Sequence, residues 1–161
     1  YKMKITNKVY ILVRCAAIAA LYFCLNLLLA PISFGTIQFR VSEALCMMPF
    51  VFPETSIGLF IGCIFSNLSS PFGLWDIVIG SLVTLIAGIL TSKIKNVWLA
   101  PLPPILLNAF ILPIVWSFFG AQELYIINVL SLLISQSVIL YGGGVPLAKQ
   151  TQKLLDKGAL K

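Results

Sequence analysis

The chain has 161 residues, of which 60% are hydrophobic and only 10% charged, and its mean hydropathy is +1.02. A soluble domain of this size needs more charge to cover its surface, so the composition predicts a lipid-facing exterior. The net charge of +6 does not indicate a nucleic-acid partner, because the basic residues flank apolar segments as they do in membrane proteins. The apolar runs are long and continuous, which favours helices over the alternating strands of a membrane barrel.

We predict a single all-α membrane domain over residues 1–161, built as a six-transmembrane-helix bundle. In chain order the helices are expected at residues 9–30, 42–52, 54–67, 74–92, 97–119 and 123–141. Prolines are tolerated in the fifth helix because neighbouring helices can satisfy the freed backbone groups. The sixth helix is expected to break at the Gly142–Gly144 triplet and Pro146, before a basic amphipathic tail. The first run is too long for a signal peptide and is interpreted as a retained helix.

The distribution of basic residues predicts the orientation of these helices. Six spans with both termini inside place ten of the eleven Lys and Arg residues on the cytoplasmic side, in agreement with the positive-inside rule. These ten are Lys2, Lys4, Lys8, Arg14, Lys93, Lys95, Lys149, Lys153, Lys157 and Lys161. The exception is Arg40, which falls in the first outside loop.

Polar and aromatic residues gather in the outer half of the predicted bundle. They are Gln38, Arg40, Glu43, Asn67, Trp75, Asp76, Asn108, Trp116, Glu123 and Asn128, with Asn108 nearest the bilayer middle. Each has a structural alternative. Arg40 and Glu43, three residues apart, could form an ion pair, and Asp76 could be an anion favoured at a helix start. The tryptophans could lie at the membrane interface, and the asparagines could form hydrogen bonds between helices. Ionisable groups within spans usually face a cavity, however, and carboxylates, an arginine, amides and aromatic walls suit a planar, polar small molecule. We predict that these residues bind such a solute.

The sequence does not favour an enzyme. It contains no histidine, so Ser-His-Asp and Cys-His schemes are unavailable. An intramembrane aspartyl protease needs paired aspartates, whereas Asp76 is the only aspartate within a predicted span. No G-x-x-x-x-G-K-[ST] motif is present for ATP hydrolysis. The four cysteines lack metal-ligand spacing and are interpreted as packing residues. We therefore predict no cofactor and no metal.

Small residues on the first helix form a candidate docking surface. Ala16 and Ala20 are a small-xxx-small pair, which lets another helix approach closely. From the motif alone, docking of a partner helix and packing against a helix of the same chain remain equally open.

Four stretches together resemble one family: residues 38–45 (QFRVSEAL), 52–54 (FPE), 58–63 (GLFIGC) and 73–82 (GLWDIVIGSL). The chain is similar to the queuosine-precursor transporter family, the substrate-binding S components of energy-coupling-factor (ECF) importers. The resemblance implies a six-helix S component in the bacterial cell membrane that binds its solute from outside. It also implies docking, through the Ala16–Ala20 patch, on a membrane scaffold subunit that carries two cytosolic ATPases.

The solutes implied by the resemblance are 7-deazaguanines, namely queuine or its precursors. A guanine-like ring presents adjacent N–H donors to one carboxylate, and a cationic amine substituent suits a second carboxylate. The residues leave open which of Glu43 and Asp76 takes which role. Two alternatives stay open as well: an S component for another flat vitamin-like solute, and a structural membrane protein whose polar groups only join helices.

Overall fold

The computed structural model describes residues 2–30, 39–70, 73–118 and 124–158, with side chains from residue 8 onward. In these ranges the chain is all-helical and contains six helices. They are α1 (Lys2–Leu28), α2 (Val41–Val51), α3 (Thr55–Asn67), α4 (Asp76–Lys93), α5 (Leu102–Phe118) and α6 (Tyr125–Asp156). The predicted all-α class and the count of six helices are confirmed within the described ranges.

The outside of the bundle is apolar. On α5 the exposed large side chains recur every fourth residue and form one continuous stripe: Leu102, Leu106, Phe110, Ile114 and Phe118. In the described ranges, three helices are long and apolar enough to cross a bilayer, and the apolar α2, α3 and α5 are shorter. Since an exposed apolar stripe of this length has no place in water, the chain is a membrane protein.

Two helices begin in non-α geometry. The first part of α2, Val41–Met47, is a 3₁₀ helix that continues into the α-helical turn Met48–Val51. The first part of α4, Asp76–Gly80, is a π-helix that continues into Ser81–Lys93. Short π segments are frequent at functional sites, because the wider turn redirects side chains. Both segments carry a carboxylate that sequence analysis singled out, Glu43 and Asp76.

The structure corrects three predicted helix bounds. The first helix begins at Lys2 rather than residue 9. The sixth helix does not break at its glycine triplet: a π segment, Leu140–Gly144, carries it into Val145–Asp156. Gly144 fits closely against α2, since an added Cβ would lie 2.7 Å from Met47 Cγ, and Pro146 follows the π segment within the continuous helix. The fifth helix begins at Leu102 rather than residue 97, which places Pro103 and Pro104 in its first turn, where proline is tolerated, while Pro113 lies inside the helix.

Close packing of α1 against α3 depends on two glycines of α3. A Cβ added at Gly58 would lie 2.5 Å from the Cys15 carbonyl oxygen, and one at Gly62 would lie 2.8 Å from that of Ala19. This glycine pair at four-residue spacing lets the two backbones approach, as in membrane helix dimers. The contact fixes which face of α1 points inward, and Tyr22 lies fully buried on that face.

Candidate functional site

The carboxylate of Glu43 lies in the interior of the bundle, where three helices meet. Its Oε1 accepts a hydrogen bond of 2.6 Å from the Tyr22 hydroxyl on α1. Its Oε2 accepts from Asn108 Nδ2 on α5 at 3.3 Å and from Cys46 Sγ at 3.1 Å. Glu43 is only 2% exposed. These three partners are uncharged, so they orient the carboxylate without balancing its formal charge.

The carboxylate of Asp76 forms a second buried cluster. Its Oδ1 accepts a 2.8 Å hydrogen bond from Trp116 Nε1, and its Oδ2 accepts one from the Ser70 hydroxyl. Arg40 Nη2 lies 3.9 Å from Asp76 Oδ2, within ion-pair distance, and both residues are buried. Asp76 thus has a cation within ion-pair distance, and Arg40 also acts electrostatically on Glu43, whose three hydrogen-bond partners are uncharged.

Asn67 and Cys63, both on α3, join the two clusters. Asn67 Oδ1 accepts from Arg40 Nη1 at 3.3 Å, and its Nδ2 donates to the Asp76 carbonyl oxygen at 2.7 Å. The same amide lies 3.3 Å from Cys63 Sγ, which is also 3.9 Å from the Tyr22 hydroxyl. Gly80 leaves room for this amide, since a Cβ there would lie 3.0 Å from Asn67 Nδ2. The two carboxylates therefore belong to one connected polar interior.

Formal charges in this interior do not balance. The charged side chains that are buried in the described ranges are Arg40, Glu43 and Asp76. Two carboxylates against one guanidinium leave one negative charge in excess. An uncompensated buried charge is expensive, and a cation that enters the interior removes that cost.

The remaining predicted site residues are placed differently. Trp75 is 44% exposed and does not share the buried position of its neighbour Asp76. Asn128 is buried on α6, and in the described part of the chain no hydrogen bond joins it to either carboxylate. Gln38 and Glu123 lie outside the described residues. We expect the loop from Pro31 to Val41 to cover the site, and most of that loop lies outside the described residues as well. The structure thus brings together Arg40, Glu43, Asn67, Asp76, Asn108 and Trp116.

Sequence analysis missed Tyr22 and Ser70, each of which donates to a carboxylate. The only available signal was a hydroxyl within an apolar helix or beside a proline, which is too common to single out a residue. Cys46 and Cys63 were interpreted as packing residues, and both are buried free thiols with polar neighbours.

The opposite end of the bundle carries its own ion pair. Arg14 Nη1 on α1 lies 2.8 Å from Glu54 Oε1 in the turn between α2 and α3. The Arg14 guanidinium also lies 4.0 Å from the Phe52 ring centroid. Glu54 is therefore a structural partner of α1 at the end of the bundle remote from Glu43 and Asp76.

An all-α membrane bundle with a charged, hydrogen-bonded interior defines the class: a membrane protein built around a polar internal site. The sequence profile of the QueT transporter family matches residues 12–153, so the chain belongs to the QueT transporter family. A relative named queuosine precursor transporter QueT, from Lactococcus lactis subsp. cremoris (strain MG1363), is 43% identical over 82 residues. That match covers 50% of this chain and 48% of the relative, so the chain aligns with about half of the relative's length. No solved structure matches.

Proposed function

We propose that this protein is the substrate-binding S component of an ECF-type importer and captures a queuosine precursor from outside the cell. Queuine and other 7-deazaguanines are the solutes. Membership of the QueT transporter family supports transport, and the name of the Lactococcus relative supports the solute class. No nucleotide-binding motif occurs in these 161 residues, so the energy for uptake comes from separate ATPase subunits.

The unbalanced charge of the interior is the observation that carries the solute assignment. Asp76 lies within ion-pair distance of Arg40, whereas Glu43 is held by a phenol, an amide and a thiol. A 7-deazaguanine with an aminomethyl substituent brings one positive charge, which matches the one excess carboxylate. Glu43 therefore receives the amine. The Asp76 cluster, with the Trp116 ring beside it, receives the flat base.

The arrangement of charges at the two ends of the bundle supports cytoplasmic termini. Lys149 lies over the Trp98 ring at 3.9 Å, and Lys95 and Lys149 line the same cleft as Phe50 at the end of α2. Arg14 reaches the turn after α2 as well. Basic residues from distant parts of the chain thus gather at one end, which the positive-inside rule assigns to the cytoplasm.

The packing of α1 supports a docking role for its small residues. Because α3 packs through Gly58 and Gly62 on the Cys15 and Ala19 face, α1 leaves Ala16 and Ala20 exposed. A smooth, exposed small-residue surface allows another transmembrane helix to approach. This surface docks on the ECF scaffold subunit, which holds two cytosolic ATPases.

Calorimetry on purified protein tests the proposal. Binding of an aminomethyl 7-deazaguanine in preference to guanine is the expected result, with a rise in the thermal unfolding midpoint as binding stabilises the folded state. A structural membrane protein would show no shift with any small solute. A shift with a different flat vitamin and none with 7-deazaguanines would assign the site to another solute.

A further inference from the structure

A second site lies at the basic end of the bundle, remote from Glu43 and Asp76. It is a cleft of about 630 Å³ between the loop that joins α4 to α5 and the last segment of α6, Val145–Asp156. Among the described residues that line it are Lys95, Lys149, Lys153 and Asp156. Three lysines against one aspartate leave two positive charges in excess, so the cleft favours an anion.

The length of α6 places this cleft at the edge of the bilayer. The helix has 32 residues and therefore spans about 48 Å, against a hydrocarbon thickness of about 30 Å. From Tyr125 to Ala148 it carries no charged residue, and its first charge is Lys149. The segment Val145–Asp156 thus emerges from the hydrocarbon and enters the headgroup region.

Trp98 marks the same boundary. Its side chain is 54% exposed, the Lys149 ammonium lies 3.9 Å from its ring centroid, and its carbonyl oxygen accepts a 3.0 Å hydrogen bond from the Tyr141 hydroxyl. Tryptophan prefers the interface between headgroups and acyl chains. Leu99, next in the chain, is also exposed. The lysine-lined cleft therefore lies next to an exposed apolar surface formed by Trp98 and Leu99, which adjoins the lining at Lys149.

We propose that this cleft binds the phosphate headgroup of an anionic phospholipid. The lysines are flexible, strongly hydrated point charges, which suit a phosphate whose position varies within the membrane interface. The acyl chains of the lipid extend along the exposed surface at Trp98 and Leu99. This site is independent of the solute site.

Native mass spectrometry of the purified full chain tests the proposal, with phosphatidylglycerol and phosphatidylcholine as probes. We expect the wild type to retain one phosphatidylglycerol in preference to phosphatidylcholine. The double variant Lys149→Gln/Lys153→Gln should bind phosphatidylglycerol about thirtyfold more weakly, from two lysine contacts near an anionic surface. Lys149→Arg/Lys153→Arg should retain binding, since it keeps both charges.

The matched control is Lys93→Gln/Lys157→Gln, which removes the same charge from two exposed lysines outside the cleft lining. It should bind phosphatidylglycerol as the wild type does. An equal loss in both glutamine variants would overturn the site, because general attraction to a basic protein would then explain the binding. Absence of any preference for phosphatidylglycerol in the wild type would overturn it too.

Soluble probes distinguish a lipid from a free phosphate group. Glycerol 1-phosphate and inorganic phosphate supply a phosphate group at least as negative as that of the headgroup but no acyl chains, and we expect both to compete weakly with phosphatidylglycerol. Competition at the affinity of the lipid would overturn the lipid assignment, since the apolar surface would then contribute nothing. The Lys153→Gln single variant, which leaves the Lys149–Trp98 contact intact, should still weaken lipid binding about fivefold.

Discussion

The substitution Glu43→Gln tests the charge assignment in the interior most directly. It keeps the shape of the side chain and removes only its formal negative charge. A glutamine oxygen can still accept the hydrogen bond that the Tyr22 hydroxyl donates to Glu43 Oε1 at 2.6 Å in the wild type. The Asn108 amide can turn to offer its oxygen to the new NH₂ group. The fold is therefore expected to survive, which a thermal unfolding midpoint in detergent would verify.

The expected loss of affinity follows from the burial of Glu43. At 2% exposure the carboxylate and a bound ammonium would form a desolvated, charge-assisted pair. Removing one partner of such a pair costs about 2 to 5 kcal/mol, because the other charge stays buried without compensation. An aminomethyl 7-deazaguanine should then bind roughly thirtyfold more weakly, or worse. An analogue without the amine should lose less than about tenfold, since only a neutral hydrogen bond changes.

Isothermal titration calorimetry with both ligands provides the measurement, and Glu54→Gln is the matched control. Glu54 undergoes the same chemical change but pairs with Arg14 at the other end of the bundle, so solute affinity should stay as in the wild type. Equal losses for the two ligands in Glu43→Gln would show that Glu43 contacts the N–H edge of the base rather than the amine. Unchanged affinity in both Glu43→Gln and Asp76→Asn would refute the location of the site and direct attention to Glu123.

Three further predictions concern partners, packing and topology. Ala20→Leu should block co-purification with the ECF scaffold subunit and leave solute affinity unchanged; loss of solute binding with an intact complex would contradict the docking assignment. Gly62→Ala should lower the unfolding free energy by about 1 to 3 kcal/mol, because its Cβ meets the α1 backbone, while Gly142→Ala, with open space around it, should have little effect in a thermal unfolding assay. In a cysteine-free background, a single cysteine at Ser69, which is exposed in the turn after α3, should react with impermeant maleimide from outside, and one at the exposed Lys93 only from inside; outside labelling at position 93 would refute the six-span topology.

The sequence determined the class of the protein and most helix bounds. Long apolar runs, with few charges between them, are a local property that lipid exposure selects, and prolines mark helix ends by removing a donor. The bounds of α2 and α3 were predicted to within a residue or two on that basis. The helix break predicted at the Gly142–Gly144 triplet was wrong. Local flexibility of the glycines indicated a helix end, whereas close packing against α2 keeps the helix continuous.

The pairing of polar groups was decided only by tertiary structure. Local spacing suggested that Arg40 pairs with Glu43, three residues away, yet Asp76 from α4 lies within ion-pair distance of Arg40. The phenol that binds Glu43 comes from Tyr22 on α1, a residue that no local pattern singles out. Sequence spacing predicts neighbours on one helix, whereas contacts between helices depend on how those helices are rotated and packed.

The inward face of α1 shows the same limit. Its small residues occupy two faces, Cys15 with Ala19 and Ala16 with Ala20, and the sequence pattern does not rank them. Gly58 and Gly62 lie on another helix and admit the α1 backbone only on the first face, which leaves the second exposed. Composition and hydropathy thus placed the chain in the membrane, but the contact between two backbones chose which surface of α1 is free for a partner. The exposed face of α1 thus depends on how closely its backbone packs against that of α3, and the spacing of residues along one helix does not reveal this distance.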